Sequence, residues 1–163
     1  MKWLAILFFG DKNMERKEYK KHDLVRELKK VQIMLEQNMN KILSKYDLTS
    51  SQAPILDYIY RAELDGIEIQ QKDIEEYFYL KNPTVTGILD RLEKKGFIIR
   101  KISDRDRRMR IVTLTDSAKK INNEAIECIN IFMKKAYKGV TKEEKDNFIN
   151  MVNKVSYNLE NID

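Results

Sequence analysis

The stretch NPTVTGILDRLEKKGFIIRKISDRDRRMRIVTLT, residues 82–115, reads as a helix followed by a β-hairpin. Asn82 suits an N-cap, and Pro83 is preset for the first helical position. Val85, Ile88, Leu89 and Leu92 recur at i, i+3, i+4 and i+7 and make one apolar face. Gly96 stands where a helix stops, at C′. The opposite face carries Thr84, Thr86, Gly87, Arg91 and Lys95, and is small near its start. FIIRKI and RIVTLT then read as two strands. Between them Arg105, Arg107, Arg108 and Arg110 fall close together, with Asp104 and Asp106 threaded among them. Like charges on a hairpin tip repel, so the crowding favours an anion outside the protein.

Working outward, residues 15–45 read as one long helix. Leu24, Leu28, Val31, Leu35 and Ile42 fall near 3.5-residue spacing, the seam of a helix that packs on another helix. Thr49 and Gln52 form a T-x-x-Q capping box for a helix over about 50–63, with Pro54 in its first turn. Its apolar face is Ile55, Leu56, Ile59 and Tyr60. A turn at Asp65-Gly66, a short strand at Ile67 and a helix over about 70–78 follow, the last with a weak cap at Gln70. Downstream, a helix over about 116–138 turns Ile121, Ala125, Cys128 or Ile129, Phe132 and Ala136 inward. A final helix opens on the box of Thr141 and Glu144 and carries the stripe Phe148, Ile149, Val152 and Val155.

Composition agrees with a mostly helical protein that has a real core. The 163 residues are 42% hydrophobic and 35% charged, with only five Gly and two Pro. The net charge is +5, and the segment 100–110 holds six basic residues against two acidic ones. A localised basic patch of this kind is a nucleic-acid footprint. The one cysteine, Cys128, forbids an internal disulfide and fits a reducing, cytoplasmic compartment. No basic residue adjoins it in sequence, so it reads as a core cysteine. Tyr58, Tyr60, Tyr77 and Tyr79 read as packing residues rather than the lining of a ligand cavity.

An enzyme is not expected. One His (His22, read as a surface residue) and one Cys cannot build the usual zinc sites, and no phosphate- or dinucleotide-binding glycine pattern is present. No metal or cofactor is called for. The opening MKWLAILFFG is too short to span a bilayer and lacks a cleavage signal. Residues 1–14 read either as an apolar arm packed on a partner subunit or as an over-called start with Met14 first. No membrane role follows from them.

The order helix, short strand, helix, helix, strand, basic loop, strand over 48–116 is that of a winged helix-turn-helix. The successive segments LTSSQAPIL, KDIEEYF, NPTVTGILDRLEKKGFIIR and SDRDRRMRIVTLT resemble the signatures of the MarR family of transcriptional regulators. The resemblance implies a mainly α fold with a small β-wing. A winged helix-turn-helix DNA-binding lobe would span 48–115, and N- and C-terminal helices, 15–47 and 116–163, would form a dimerisation lobe. It further implies a recognition helix, Asn82 to Lys95, in the major groove and a wing in the minor groove.

Carried across residue by residue, Gln70, Gln71 and Lys72 would lie near the DNA backbone. Asn82, Pro83, Thr84, Thr86, Gly87, Arg91 and Lys95 would serve from the recognition helix, and Arg105, Arg107, Arg108 and Arg110 from the wing. Asp106 would hold the wing in shape. Four positions depart from the family pattern: Glu75 where a small residue is usual, Tyr79 where Gly is common, Gly87 where a longer polar residue is common, and Ser103 where Asp is frequent.

General physics agrees with this reading. A helix fits the major groove, its N-terminus favours a phosphate, and arginines on a hairpin suit a narrow A·T-rich minor groove. The expected protein is therefore a homodimeric, sequence-specific, double-stranded-DNA-binding regulator on a pseudo-palindromic, A·T-rich operator. It would be a repressor relieved by a small aromatic or lipophilic ligand. Two other readings stay open: a winged-helix module that binds an acidic protein partner, and a redox sensor acting through Cys128.

Overall fold

The computed structural model describes residues 24–162. The expected arm or over-called start, His22 and the first part of the long helix lie outside the described residues. Helix α1 spans Leu24–Leu43 and ends in a 3-10 turn, Ser44–Tyr46. Then come α2 (Ala53–Leu64), α3 (Gln71–Tyr77), α4 (Asn82–Lys94), β1 (Ile98–Ile102), β2 (Arg110–Leu114), α5 (Asp116–Ala136) and α6 (Lys142–Glu160). This is a mainly helical winged helix-turn-helix, as the sequence indicates.

One core unites the middle of the chain. Ile55, Leu56 and Ile59 of α2, Ile74 of α3, and Val85, Ile88, Leu89 and Leu92 of α4 are all buried in it. Ile98, Val112 and Leu114 close it from the hairpin, and Ala118 and Ala125 from α5. Each fully buried aliphatic side chain contributes about 1.5–3 kcal/mol relative to exposure.

The helix ends show where residue type and geometry part. Helix α4 takes its N-cap from Lys81, extended at φ −77°, ψ 147°, whose carbonyl accepts from the Thr84 and Val85 amides. Asn82 therefore sits one residue inside the helix and caps nothing. The other end is as expected. Gly96 is left-handed at φ 71°, its N–H donates to Glu93 and the Phe97 N–H donates to Leu92, the paired bonds of a Schellman stop.

Helix α2 begins later than expected, at Ala53, because Thr49 opens a turn instead. Only half of the expected box forms, with the Thr49 N–H donating to Gln52 Oε1 at 3.2 Å, while the Thr49 hydroxyl pairs with Ser51. Helix α3 has a better start than Gln70 alone suggests, since the Asp73 carboxylate accepts the Gln70 N–H at 2.7 Å. Thr115 caps α5 and the Thr141–Glu144 box caps α6.

The strands pair antiparallel in a register running from Ile98↔Leu114 to Ile102↔Arg110. The strand expected at Ile67 is reduced to a single bridge two residues on, Ile69↔Val112, and Ile67 is exposed. Ile67 still belongs to the turn that closes α2, its N–H donating to the Ala62 carbonyl at 2.8 Å, so the chain reaches the hairpin and the core only at Ile69. The Val112 N–H donates to the Ile69 carbonyl at 2.8 Å, and the Leu114 N–H to Glu63 Oε1 at 2.7 Å. Lys119 holds the other Glu63 oxygen at 3.0 Å.

The outer helices keep their apolar stripes in solvent. Leu24, Leu28 and Val31 on α1, and Phe148, Ile149, Val152 and Val155 on α6, are all exposed. In α5 the expected inward set is shifted. Ala136 is exposed, while Asn122 is buried and its amide donates to Asp57 at 3.2 Å. Among the described residues no helix is long and apolar enough to cross a membrane.

Candidate nucleic-acid interface

The exposed side of α4 carries the polar side chains that the sequence singles out. Asn82, Pro83, Thr84 and Arg91 are exposed, and Thr86 and Gly87 are half-buried. Gly87 is not forced by space, since a Cβ there would meet only Arg91 Nη1 at 3.7 Å, an ordinary contact. Its effect is to leave the helix surface low beside Arg91.

Helix α3 is tied to this face by a short polar chain. Gln71 Nε2 donates to Thr86 Oγ1 at 2.8 Å and to Glu75 Oε1 at 2.9 Å, and Asn82 Nδ2 donates to the same Glu75 oxygen at 2.7 Å. Glu75, which departs from the family pattern, thus joins α3 to the first turn of α4. Gln70 stands at the N-cap of α3, and Lys72 is exposed and paired with Glu76 at 3.3 Å. Tyr79 meets the other departure by adopting the left-handed backbone, φ 52°, with its side chain in solvent. Tyr58 and Tyr77 stack at 4.3 Å, and Phe78 meets both edge-on.

Lys95 stands apart from the other helix residues. Its ammonium donates to the Asp47 carbonyl at 2.5 Å and to the Asp47 carboxylate at 3.0 Å. Asp47 itself is left-handed, at φ 55°, just after the turn that ends α1. The end of α4 is therefore strapped to the end of α1.

The wing answers the question of its crowded charges. Asp106 accepts from the Arg108 N–H at 2.9 Å and grips the Arg108 guanidinium at 3.1 and 3.2 Å. The Arg108 side chain, and then its backbone N–H, hold the Asp106 carboxyl below its ordinary value. Arg105 turns back, donating to the Gly66 carbonyl at 3.2 Å and facing Glu68 at 4.0 Å. Arg100 pairs with Asp90 at 2.6 Å and Glu93 at 3.7 Å. Arg107 and Arg110 are exposed and make no ion pair within the described residues. The aspartates thus neutralise part of the loop, and the remaining positive charge faces out.

Ser103 and Glu68 belong to the wing although sequence reading did not assign them a role there. Ser103 is buried, and its hydroxyl donates to Glu68 Oε2 at 2.6 Å. The Ser103 hydroxyl oxygen in turn accepts from the Arg105 and Asp106 amides at 3.0 and 3.2 Å. A serine two and three residues before amides in a tight loop is the available signal.

Cys128 also differs from expectation. It is half-buried rather than a core residue, and Lys45 Nζ lies 3.2 Å from its sulfur. Among the described residues no cluster of His, Cys, Asp or Glu could hold a metal ion.

The comparisons agree with this architecture. Residues 46–109 match a profile described as the MarR family. The chain is 37% identical over 93 residues to an uncharacterized HTH-type transcriptional regulator, YfiV, of Bacillus subtilis (strain 168), covering 57% of this chain and 58% of that protein. Among solved structures, the transcription regulator MarR from Oenococcus oeni PSU-1 superposes with a TM-score of 0.72 at 30% identity, covering 83% of this chain and 99% of that one. The S. aureus MepR–DNA complex superposes at 0.75 with 23% identity, covering 83% of this chain and 96% of the other, a likeness of fold. This chain belongs to the MarR family of winged helix-turn-helix transcriptional regulators.

Proposed function

We propose that the protein is a homodimer that binds double-stranded DNA sequence-specifically and represses by occupying its operator. The observation that carries this reading is the exposed polar face of α4 beside a hairpin whose Arg107 and Arg110 point outward without ion-pair partners among the described residues. In this reading Thr84, Thr86 and Arg91 meet the major groove. Gln70, Gln71, Lys72, Asn82 and Pro83 lie at the backbone, and the wing arginines enter a narrow, A·T-rich minor groove. Residues 48–115 form the DNA-binding lobe. The fold shared with a MepR–DNA complex supports it.

The exposed apolar stripes of α1 and α6 support self-association, because contiguous apolar surface on this scale is covered in a stable protein. A two-fold dimer repeats its recognition helix, so the operator is pseudo-palindromic, with half-sites about one helical turn apart. The family resemblance adds relief by a small aromatic or lipophilic ligand, and a cytoplasmic setting.

The test is fluorescence anisotropy of the full chain against its own upstream intergenic DNA and a scrambled duplex, across a salt series. A preference of roughly 10³-fold or more with a steep salt slope is expected. Equal, weak binding to both duplexes overturns the reading for that operator, and competition by heparin at equal strength overturns sequence-specific DNA binding altogether.

A further inference from the structure

One carboxylate oxygen accepts a hydrogen bond from each helix of the helix-turn-helix. Glu75 Oε1 accepts from Gln71 Nε2 at 2.9 Å, on its own helix, and from Asn82 Nδ2 at 2.7 Å, on α4. A carboxylate has no hydrogen to give, so only the nitrogen end of each amide can face it. That decides which way round the Gln71 amide lies. The same Gln71 nitrogen reaches Thr86 Oγ1 at 2.8 Å, so both of its N–H bonds are spent inside the protein. Thr86 is the acceptor in that bond, and its own hydroxyl hydrogen takes no acceptor among the described residues.

We infer that Glu75 is a positioning residue for sequence choice: by fixing the Gln71 amide it keeps the Thr86 hydrogen for DNA, where it reads an acceptor on a base edge of the major groove. This rests on the proposed DNA binding. The acceptors at that edge are purine N7, guanine O6 and thymine O4, whereas the amino groups of adenine and cytosine are donors. The Gln71–Thr86 pair has two possible arrangements. In one the amide nitrogen donates to Thr86, whose hydrogen is left over. In the other the amide is reversed, Thr86 gives its hydrogen to Gln71 Oε1, and only lone pairs remain for a base. Glu75 permits only the first, because reversal would set Oε1 against the carboxylate, oxygen facing oxygen. Gln71 thus works through Thr86 rather than on a phosphate. An anion beside DNA weakens binding to every sequence alike, so the contribution of Glu75 is to choice and not to affinity.

The test selects bound duplexes from a randomised library with the full chain, then measures affinity for the selected duplex and each of its single-base-pair variants. Thr86→Val removes the hydroxyl at nearly equal size and marks the base pair that Thr86 reads. There the wild type is expected to discriminate by about fivefold or more, and Thr86→Val by about twofold or less. Base analogues that lack N7, O6 or O4 at that pair should include one that weakens the wild type and leaves Thr86→Val as it was. Glu75→Gln keeps the size of the side chain and can still bridge the two helices, but an amide both gives and accepts, so the Gln71 amide is free to reverse. It is expected to flatten the preference at that same pair to about twofold, with no further loss when combined with Thr86→Val. A base profile unchanged in Glu75→Gln makes Glu75 a bridge between helices and nothing more, and overturns the inference. So does a profile unchanged in Thr86→Val, or indifference to all three analogues. A wild type that selects no motif is a different failure: it sinks the DNA reading itself, and the inference with it.

Discussion

The buried Ser103 hydroxyl donates to the Glu68 carboxylate across 2.6 Å, anchoring the start of the wing to the segment that precedes α3. Ser103→Ala leaves the Arg105 and Asp106 amides without their acceptor and Glu68 without its donor. A loss of about 1–3 kcal/mol is expected in urea unfolding. Ser103→Asp, although an aspartate is frequent there in the family, would set a second carboxylate against Glu68. It should destabilise alone and recover when combined with Glu68→Gln, a coupling that a double-mutant cycle reads directly.

Arg108 is both held by Asp106 and open to solvent. If it meets a phosphate or the minor groove, Arg108→Ala lowers the slope of log affinity against log salt by about one unit. An unchanged slope would assign it to wing structure alone.

Asp106 gives that wing a dependence on pH. Its folded-state pKa is lowered by Arg108, so its stabilising effect is complete above the ordinary aspartate range and is lost as the pH falls through the lowered value. Hydrogen exchange at the Arg108 amide should therefore show weaker protection in acid relative to the rest of the hairpin. In Asp106→Asn that additional acid sensitivity should vanish.

Tyr79 occupies a left-handed backbone position with an exposed side chain. The steric cost there is about 1–2 kcal/mol, against about 0.5–1 kcal/mol of entropy lost by ordering a glycine. Tyr79→Gly is thus expected to be neutral to stabilising, by up to about 1.5 kcal/mol on these two magnitudes, in a thermal melt. A clear loss of stability would show that the exposed ring is covered in the assembled protein.

A charge in the α6 stripe tests self-association. Val152→Asp places a carboxylate among Phe148, Ile149 and Val155, which an apolar interface cannot solvate. Analytical ultracentrifugation should show the wild type as a dimer and the variant shifted to monomer with its helix content kept.

The parts of the fold written in local pattern were legible in the sequence. The four aliphatic residues of α4, Gly96 after it and the two strands each depend on near neighbours, and each is where the sequence reading places it. The caps were less legible. Asn82 is a better capping residue than Lys81 by type, yet the cap belongs to whichever residue has the extended backbone, here Lys81. Contacts between distant residues were not legible at all. The candidate interface gained Glu75, Glu68 and Ser103 only when α3, the loop before it and the wing were brought together. Cys128 looked inert because its cation lies 83 residues away, on Lys45.

The outer side of β2 has a consequence for the protein in a crowded solution. A short two-stranded hairpin with an open margin is a template on which another chain can add a strand and begin a fibril. Here the Val112 amide is taken by the Ile69 carbonyl, and the Leu114 amide by Glu63. The carboxylate of Glu63 occupies the place that a foreign peptide would need, and its negative charge is itself held by Lys119. Glu63→Ala would reopen that place and leave the Ile69–Val112 bond to guard the margin, so the protein's solubility at high concentration should fall.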